Sequence, residues 1–202
     1  MRYKILFIAF SCIFILTACS KSVVVATDFP RPVMEPMPLK VGVRYTDSLR
    51  EYVHEQKNPL EPGWSIDIGA ANIRLFDALF GGMFREISVL NESEDGDVTL
   101  DAIIEPVMEN FEYSLPDHSG SDQYAVWIRY QIRVIAPDGE LIANLPVKAY
   151  GQATEQMLDS EESMEMATII AMRDAAATIA AEFSSDATIR SGLLTPELEE
   201  ES

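Results

Sequence analysis

Cysteine is almost absent from this chain. Only Cys12 and Cys19 occur among its 202 residues, and both lie close to the amino terminus. The remaining sequence therefore has no thiol and cannot form a disulfide. A cysteine nucleophile, a cysteine-ligated zinc site and thiol redox chemistry are all excluded there. The stability of this part of the protein must come from packing.

Histidine is equally scarce, and the sequence carries no motif of a catalytic centre. His54 and His118, the only two histidines, both fall in predicted loops. No Gly-x-Ser-x-Gly elbow or His-Glu-x-x-His pair is present. Paired carboxylates could serve a glycosidase, but with 33 acidic residues such pairs are expected by chance. We therefore expect a protein without catalytic activity, cofactor or metal site.

Basic residues are strongly outnumbered. The chain has 15 lysines and arginines against 33 aspartates and glutamates, which gives a net charge of −18. A surface with this balance repels phosphate backbones. We therefore expect no nucleic acid among its partners.

A short apolar run follows the amino terminus. Arg2 and Lys4 precede a run from Ile5 to Leu16, and small residues follow before Cys19. This is the anatomy of a secretory signal peptide. The run is well short of the roughly 20 residues that a helix needs to span a bilayer. Residues 1–18 are therefore predicted to be a removable signal peptide rather than a membrane helix.

The residues Leu16, Thr17, Ala18 and Cys19 resemble the bacterial lipobox. The resemblance implies that residues 1–18 are removed and that Cys19 carries a diacylglycerol thioether and an N-acyl chain. Two or more acyl chains hold a protein on a membrane for long periods. Ser20 after the cysteine implies the periplasmic face of the outer membrane, with the inner membrane as the alternative. Removal of Arg2 and Lys4 leaves 13 basic against 33 acidic residues, a net charge of −20.

The sequence from Cys19 onward divides into three parts. Prolines 30, 32, 36 and 38 fix φ and remove backbone donors, so residues 19–38 are predicted to be an extended proline-rich tether. The alternative is that part of this segment packs along the domain as an edge. Residues 39–184 are predicted to form a single domain. The glutamate-rich end predicts a flexible acidic tail at 185–202.

Hydrophobic periodicity switches between that of strands and that of helices over the predicted domain. Strands are predicted at 39–45, 86–90 and 98–115, a hairpin at 124–151 with a turn at Pro137-Asp138-Gly139, and helices at 67–84 and 160–183. Residues 46–64 are predicted to be a long loop. This order predicts an α+β fold in which an antiparallel or mixed β-sheet carries two α-helices on one face.

Both predicted helices carry features that bear on packing. Gly81-Gly82 near the end of the first indicates a helix stop or a close backbone approach. Small residues in the second permit close packing on a sheet. Its buried stripe is predicted to contain Met164, Ala167, Ile170, Ala171, Ala175, Thr178 and Ile179.

Positive charge and tryptophan coincide on one side of the predicted hairpin. Trp127, Arg129 and Arg133 share one parity, opposite to a row of apolar residues. They are candidate partner-binding residues, together with Trp64 at the end of the 46–64 loop. The alternative is that the arginines only pair with exposed carboxylates, since such pairs are common and weakly stabilising.

Several pieces of the predicted domain carry a second resemblance. They are Val41-Gly-Val, Leu75-Phe-Asp-Ala-Leu-Phe, residues 98–111, residues 134–141 with their Asp-Gly turn, and Ala171-Met-Arg-Asp-Ala-Ala. In element order they resemble the periplasmic domain of auxiliary lipoproteins of ABC-type and MCE-type lipid transport, and of curli-secretion and LPS-assembly lipoproteins. The resemblance implies a noncatalytic accessory of a transport or secretion system with an envelope protein as partner. The alternatives are a structural lipoprotein that self-assembles through sheet edges and a carrier of lipid or sterol.

Overall fold

The computed structural model of the chain describes residues 21–56, 63–90, 99–155, 159–185 and 189. The predicted signal peptide at 1–18, the lipobox with Cys19, and residues 190–202 of the predicted tail lie outside these ranges.

Two β-sheets and two long helices make up the described part of the chain. The strands are β1 (Lys21–Val24), β2 (Met37–Arg44), β3 (Val53–Gln56), β4 (Trp64–Asp67), β5 (Phe84–Leu90), β6 (Ala102–Ser114), β7 (Gln123–Ile135) and β8 (Leu141–Thr154), and the helices are α1 (Asp47–Arg50), α2 (Gly69–Met83), α3 (Pro116–Ser119) and α4 (Ser160–Ser185). The larger sheet has the order β5-β2-β6-β7-β8 and the smaller one β1-β4-β3. The predicted α+β class is confirmed.

The larger sheet is mixed. Strand β2 pairs in parallel with both β5 and β6, whereas β6, β7 and β8 pair antiparallel. Strands β7 and β8 form the predicted hairpin, and Gly139 in its turn has a φ of 93°, a conformation that glycine adopts without steric cost. Strand β6 continues through Pro106, and its pairing with β7 shifts register between Met108 and Asn110.

Both long helices cover the same face of the larger sheet. Helix α2 places Phe76 against Tyr130 of β7, with the ring centroids 5.4 Å apart. Helix α4 lies on β7 and β8, so close to Gly151 that a Cβ there would collide with the carbonyl oxygen of Ala167. The predicted stripe of α4 is wrong at Ile170, which is 37% exposed because the buried side of the helix runs through Thr168 and Met172 instead.

A buried polar network joins α2 to the sheet. The hydroxyl of Tyr130 donates to Asn72 Oδ1 at 2.8 Å, and Asn72 Nδ2 donates to the carbonyl of Leu49 in α1 at 3.4 Å. Burial raises the pKa of Tyr130, so its hydroxyl stays protonated and can act as the donor. The network fixes the position of α2 because each of these polar groups would be costly to bury without its partner.

The smaller sheet occupies regions where the sequence predicts a loop and a tether. Residues 46–64 contain α1, β3 and the first residue of β4. Strand β1 pairs in parallel with β4, and Val23, Val25 and Phe29 are buried. Residues 21–29 therefore pack along the domain, in agreement with the second of the two interpretations of 19–38. They pack there because their alternating apolar side chains reach the core.

Candidate functional site

Alternation along the central parts of β7 and β8 gives the larger sheet one apolar and one polar face. Ile128, Tyr130 and Ile132 point toward the helices and are fully buried. From Trp127 to Arg133 in β7 and from Asn144 to Tyr150 in β8, the opposite parity remains at the surface, where no helix described here packs over it. We call this surface the open face and define it by Trp127, Arg129, Gln131 and Arg133 of β7, Pro146, Lys148 and Tyr150 of β8, Glu105 and Glu112 of β6, and Arg44 of β2.

One end of the open face is aromatic. Trp127 and Tyr150 lie opposite each other across the β7–β8 pair, with ring centroids 5.3 Å apart. They remain 42% and 40% exposed. The Tyr150 hydroxyl donates to Gln152 Oε1 at 2.8 Å. Large aromatic side chains that are paired yet accessible are typical anchors of protein interfaces, since they bring contact area at little entropic cost.

The middle of the open face is cationic. Arg129 and Lys148 lie in register on neighbouring strands. Arg129 Nη2 is 3.9 Å from Glu112 Oε1, and both side chains are at least half exposed. An ion pair with this separation and exposure contributes little to stability. Arg129 can therefore change partner at small cost.

The far end of the open face contains a buried carboxylate held by two arginines. Glu105 is only 7% exposed. Its Oε1 lies 2.5 Å from Arg133 Nη1, and its Oε2 lies 3.5 Å from Arg44 Nη1. These groups line a cavity of about 400 Å³ that the β7–β8 turn completes with Asp138. Arg133 is therefore tied to an ion pair with a buried carboxylate, not with an exposed one as the alternative interpretation of the arginines expects.

Trp64 lies apart from the other three candidate residues. It is 4% exposed and belongs to β4 of the smaller sheet. Its ring lies 6.2 Å from those of Tyr113 and Tyr124, and the ammonium of Lys21 lies 5.0 Å from its centroid. The side chain points inward because it alternates with Ser65 along β4. Trp64 is therefore a core residue and does not join the open face.

The histidine and acidic residues do not form a reactive cluster in the ranges that the structure covers. His54 packs against the rings of Phe111 and Tyr113, with centroids 5.0 and 5.7 Å away. Burial lowers its pKa below the ordinary value. Within the described ranges no group of three His, Cys, Asp or Glu side chains is arranged to hold a metal ion.

The sequence analysis did not identify several members of the open face. Lys148 and Tyr150 follow the alternation of β8 and could have been found by extending the parity argument across the hairpin. Arg44 and Glu105 come from strands that are distant in sequence, and their meeting with Arg133 depends on strand register. Nothing in a single sequence specifies that register.

No helix among the described residues is both long and apolar enough to cross a bilayer.

Sequence comparisons return no relative of this chain. No protein-family model matches it. No curated protein matches it either.

Comparison of structures finds distant similarities. The minor lipoprotein of Acinetobacter baumannii is 11% identical, with a TM-score of 0.45, and the match covers 74% of this chain and 93% of that one. The uncharacterized lipoprotein B of Nitrosomonas europaea is 17% identical, with a TM-score of 0.44, covering 79% and 93%. The rare lipoprotein B of Shewanella oneidensis is 12% identical, with a TM-score of 0.39, covering 72% and 94%. At these values the similarities carry no argument about function.

Proposed function

We propose that this protein is a bacterial lipoprotein whose domain acts as a noncatalytic binding accessory in the cell envelope. The lipobox at Leu16 to Cys19 supports the anchor, and Ser20 supports the periplasmic face of the outer membrane. The partner is an envelope protein, as part of a transport or secretion system. The lipid holds the domain at a surface, and the domain binds that protein.

The open face is the observation that supports this function. It combines an exposed aromatic pair, Trp127 and Tyr150, with Arg129 and Lys148 beside it. On this surface Arg44, Arg129, Arg133 and Lys148 outnumber the carboxylates of Glu105 and Glu112, whereas the whole chain is strongly acidic. Charge complementarity steers partners and selects among them. The open face therefore suits a partner segment that carries acidic side chains around an apolar anchor.

The edge of β8 argues against the self-assembling alternative on that side of the sheet. The backbone N–H of Tyr150 points away from β7 and donates to Asp174 Oδ2 of α4 at 3.0 Å. Pro146 has the same parity, so the N–H that it lacks would have faced the same edge. The N–H of Tyr150 is already bonded and Pro146 has none, so another strand that pairs with this edge would lack two hydrogen-bond donors.

Photo-crosslinking in intact cells tests the proposal. A photoreactive amino acid replaces Trp127 in the full chain, and the control position is Met166 of α4, which is 40% exposed on the helical side. We expect a discrete adduct with an envelope protein from position 127 and none from position 166. Arg129→Glu with Lys148→Glu should weaken the adduct, whereas Arg85→Glu, an exposed arginine of β5, should not.

Three results would overturn the proposal. Equal adducts from both positions would mean that the open face is not selective. Adducts with further copies of this chain alone would favour the structural oligomer. Unchanged membrane attachment of Cys19→Ala would remove the lipid anchor from the interpretation.

A further inference from the structure

An apolar groove lies on the helical side of the molecule, away from the open face. Its volume is about 260 Å³, slightly below the roughly 300–1,000 Å³ of most small-molecule sites. Its walls come from the segment after β1, from α2 and from α4. The lining residues are Phe29, Pro30, Arg31, Pro32, Leu75, Leu79, Arg173, Ala176, Ala177 and Ala180.

The outer wall of the groove is held in place at two points. Arg74 of α2 donates to the carbonyl oxygens of Thr27 and Val25 at 2.8 and 2.9 Å. Farther along, Pro32 packs directly on Gly82, where a Cβ would stand only 2.6 Å from the proline ring. The proline itself fixes φ. The groove is therefore largely preformed, and a ligand entering it would meet little ordering cost.

The chemistry of the lining is apolar with a cationic margin. Leu75 and Leu79 are buried beneath it, and the alanines of α4 leave the space open. Arg31 and Arg173 are exposed and also line the groove. Within the described residues neither forms an ion pair, although the chain holds 33 carboxylate side chains for 15 basic ones. Two such arginines beside an apolar groove complement an anionic head group on an apolar tail.

We propose that this groove binds a free fatty acid. The alkyl chain lies along Leu75, Leu79 and the alanines, and the carboxylate contacts Arg31 and Arg173. A guanidinium matches a carboxylate in charge and in geometry. The volume suits one narrow chain rather than a sterol or a two-chain phospholipid. This site is separate from the open face and does not depend on protein docking there.

Photoaffinity labelling tests the site on the full chain, purified from membranes and reconstituted in lipid nanodiscs. The probe is dodecanoic acid carrying a diazirine at the end of its chain. We expect labelled peptides to come from residues 29–32 or 173–180. Unlabelled dodecanoate should displace the probe about tenfold better than dodecanol, since the alcohol lacks the charge that the arginines recognise.

Two matched pairs of variants locate the ligand. Ala177→Leu fills the groove and should abolish labelling, whereas Ala181→Leu, an exposed alanine one turn further along α4, should leave it unchanged. Arg31→Gln with Arg173→Gln should weaken labelling about tenfold, and Arg85→Gln should have no effect. Thermal unfolding of each variant verifies that the fold is retained.

Other outcomes would overturn the fatty-acid site. Equal displacement by dodecanoate and dodecanol would remove the role of the arginines. Labelling that Ala177→Leu does not reduce would place the probe elsewhere. Labelling that appears only in Cys19→Ala would assign the groove to the protein's own acyl chain. None of these results bears on crosslinking at Trp127, so the two proposals fail independently.

Discussion

Glu105 divides the arginines of the open face into those that stabilise the fold and one that is available to bind a partner. Its carboxylate is buried between Arg133 and Arg44, and the 2.5 Å contact with Arg133 is short. Arg133 therefore holds a strand position, whereas Arg129, with its long and exposed contact to Glu112, is available to a partner. Two arginines of the same strand and parity thus have different roles.

Removing the Glu105 charge is expected to destabilise the fold. In Glu105→Gln, two arginines lose the carboxylate that neutralises them. We expect a loss of about 2 kcal/mol in the free energy of unfolding, below the 3–5 kcal/mol of fully buried pairs because Arg133 is partly exposed. Urea unfolding measures this loss. Glu112→Gln is the matched control and should change stability by less than about 0.5 kcal/mol; equal effects of the two substitutions would contradict the structural role of Glu105.

His54 is expected to make stability depend on pH. Burial against Phe111 lowers its pKa in the folded protein, so the unfolded chain binds a proton more readily. Its contribution is therefore complete at pH values above the unfolded pKa of about 6.5 and is lost as pH falls below it. Unfolding should be measured between pH 7.5 and 5 for the wild type and for His54→Phe. The variant should lose less stability over this interval, and parallel curves would disprove the effect.

At the scale of elements, the contact between β8 and α4 holds the helical layer on the sheet. Gly151 leaves no room for a Cβ beside the backbone of Ala167 and Ala171. Backbone atoms cannot move aside as a flexible side chain would. The helix can therefore approach the strand only where the strand lacks a side chain.

Gly151→Ala should consequently separate the two elements. We expect a loss of about 3 kcal/mol or more, at the upper end of overpacking effects, because the clash is with helix backbone. Gly81→Ala is the control: Gly81 is helical, and a Cβ there would have its nearest neighbour at 3.7 Å. That substitution should stabilise the protein by about 0.5–1 kcal/mol. Thermal or urea unfolding compares the two, and a tolerated Gly151→Ala would show that α4 can shift.

Element length decided how much of the fold could be predicted. The hairpin of β7 and β8 and the helix α2 repeat their periodicity over 13 or more residues, and α4 extends over 26 residues without glycine or proline. Strands β1, β3 and β4 have four residues each and place only two side chains on each face. Prolines after β1 and charges around β3 then favoured a tether and a loop. The smaller sheet exists because β4 pairs with both neighbours, which is a tertiary effect.

The candidate site could be predicted only where alternation along a single strand decides on which face a side chain lies. Trp127, Arg129 and Arg133 lie on one face, as their spacing predicts. Trp64 was a candidate because it ends the predicted loop at 46–64, but its position in β4 points its side chain into the core. The groove could not be predicted at all, since its walls come from three segments that packing brings together.

At the scale of the whole molecule, charge is unevenly distributed. Cations outnumber carboxylates on the open face, so the other surfaces carry the excess of acidic groups. A molecule with this asymmetry orients an approaching acidic partner toward one side before contact. The helical side, with the groove and its two arginines, is the second place where cations meet apolar surface.

The position of β1 limits the distance between the domain and the proposed lipid attachment at Cys19. Strand β1 starts at Lys21, two residues after the proposed lipid attachment at Cys19, and a connection of that length spans at most about 7 Å. If Cys19 carries the proposed lipid, the domain can tilt on this short connection but cannot leave the membrane surface. Its search for a partner is thus confined to two dimensions, where a short connection raises the local concentration of any partner held in the same membrane. A partner that is not held in that membrane could bind the domain only through a segment that extends to the membrane surface.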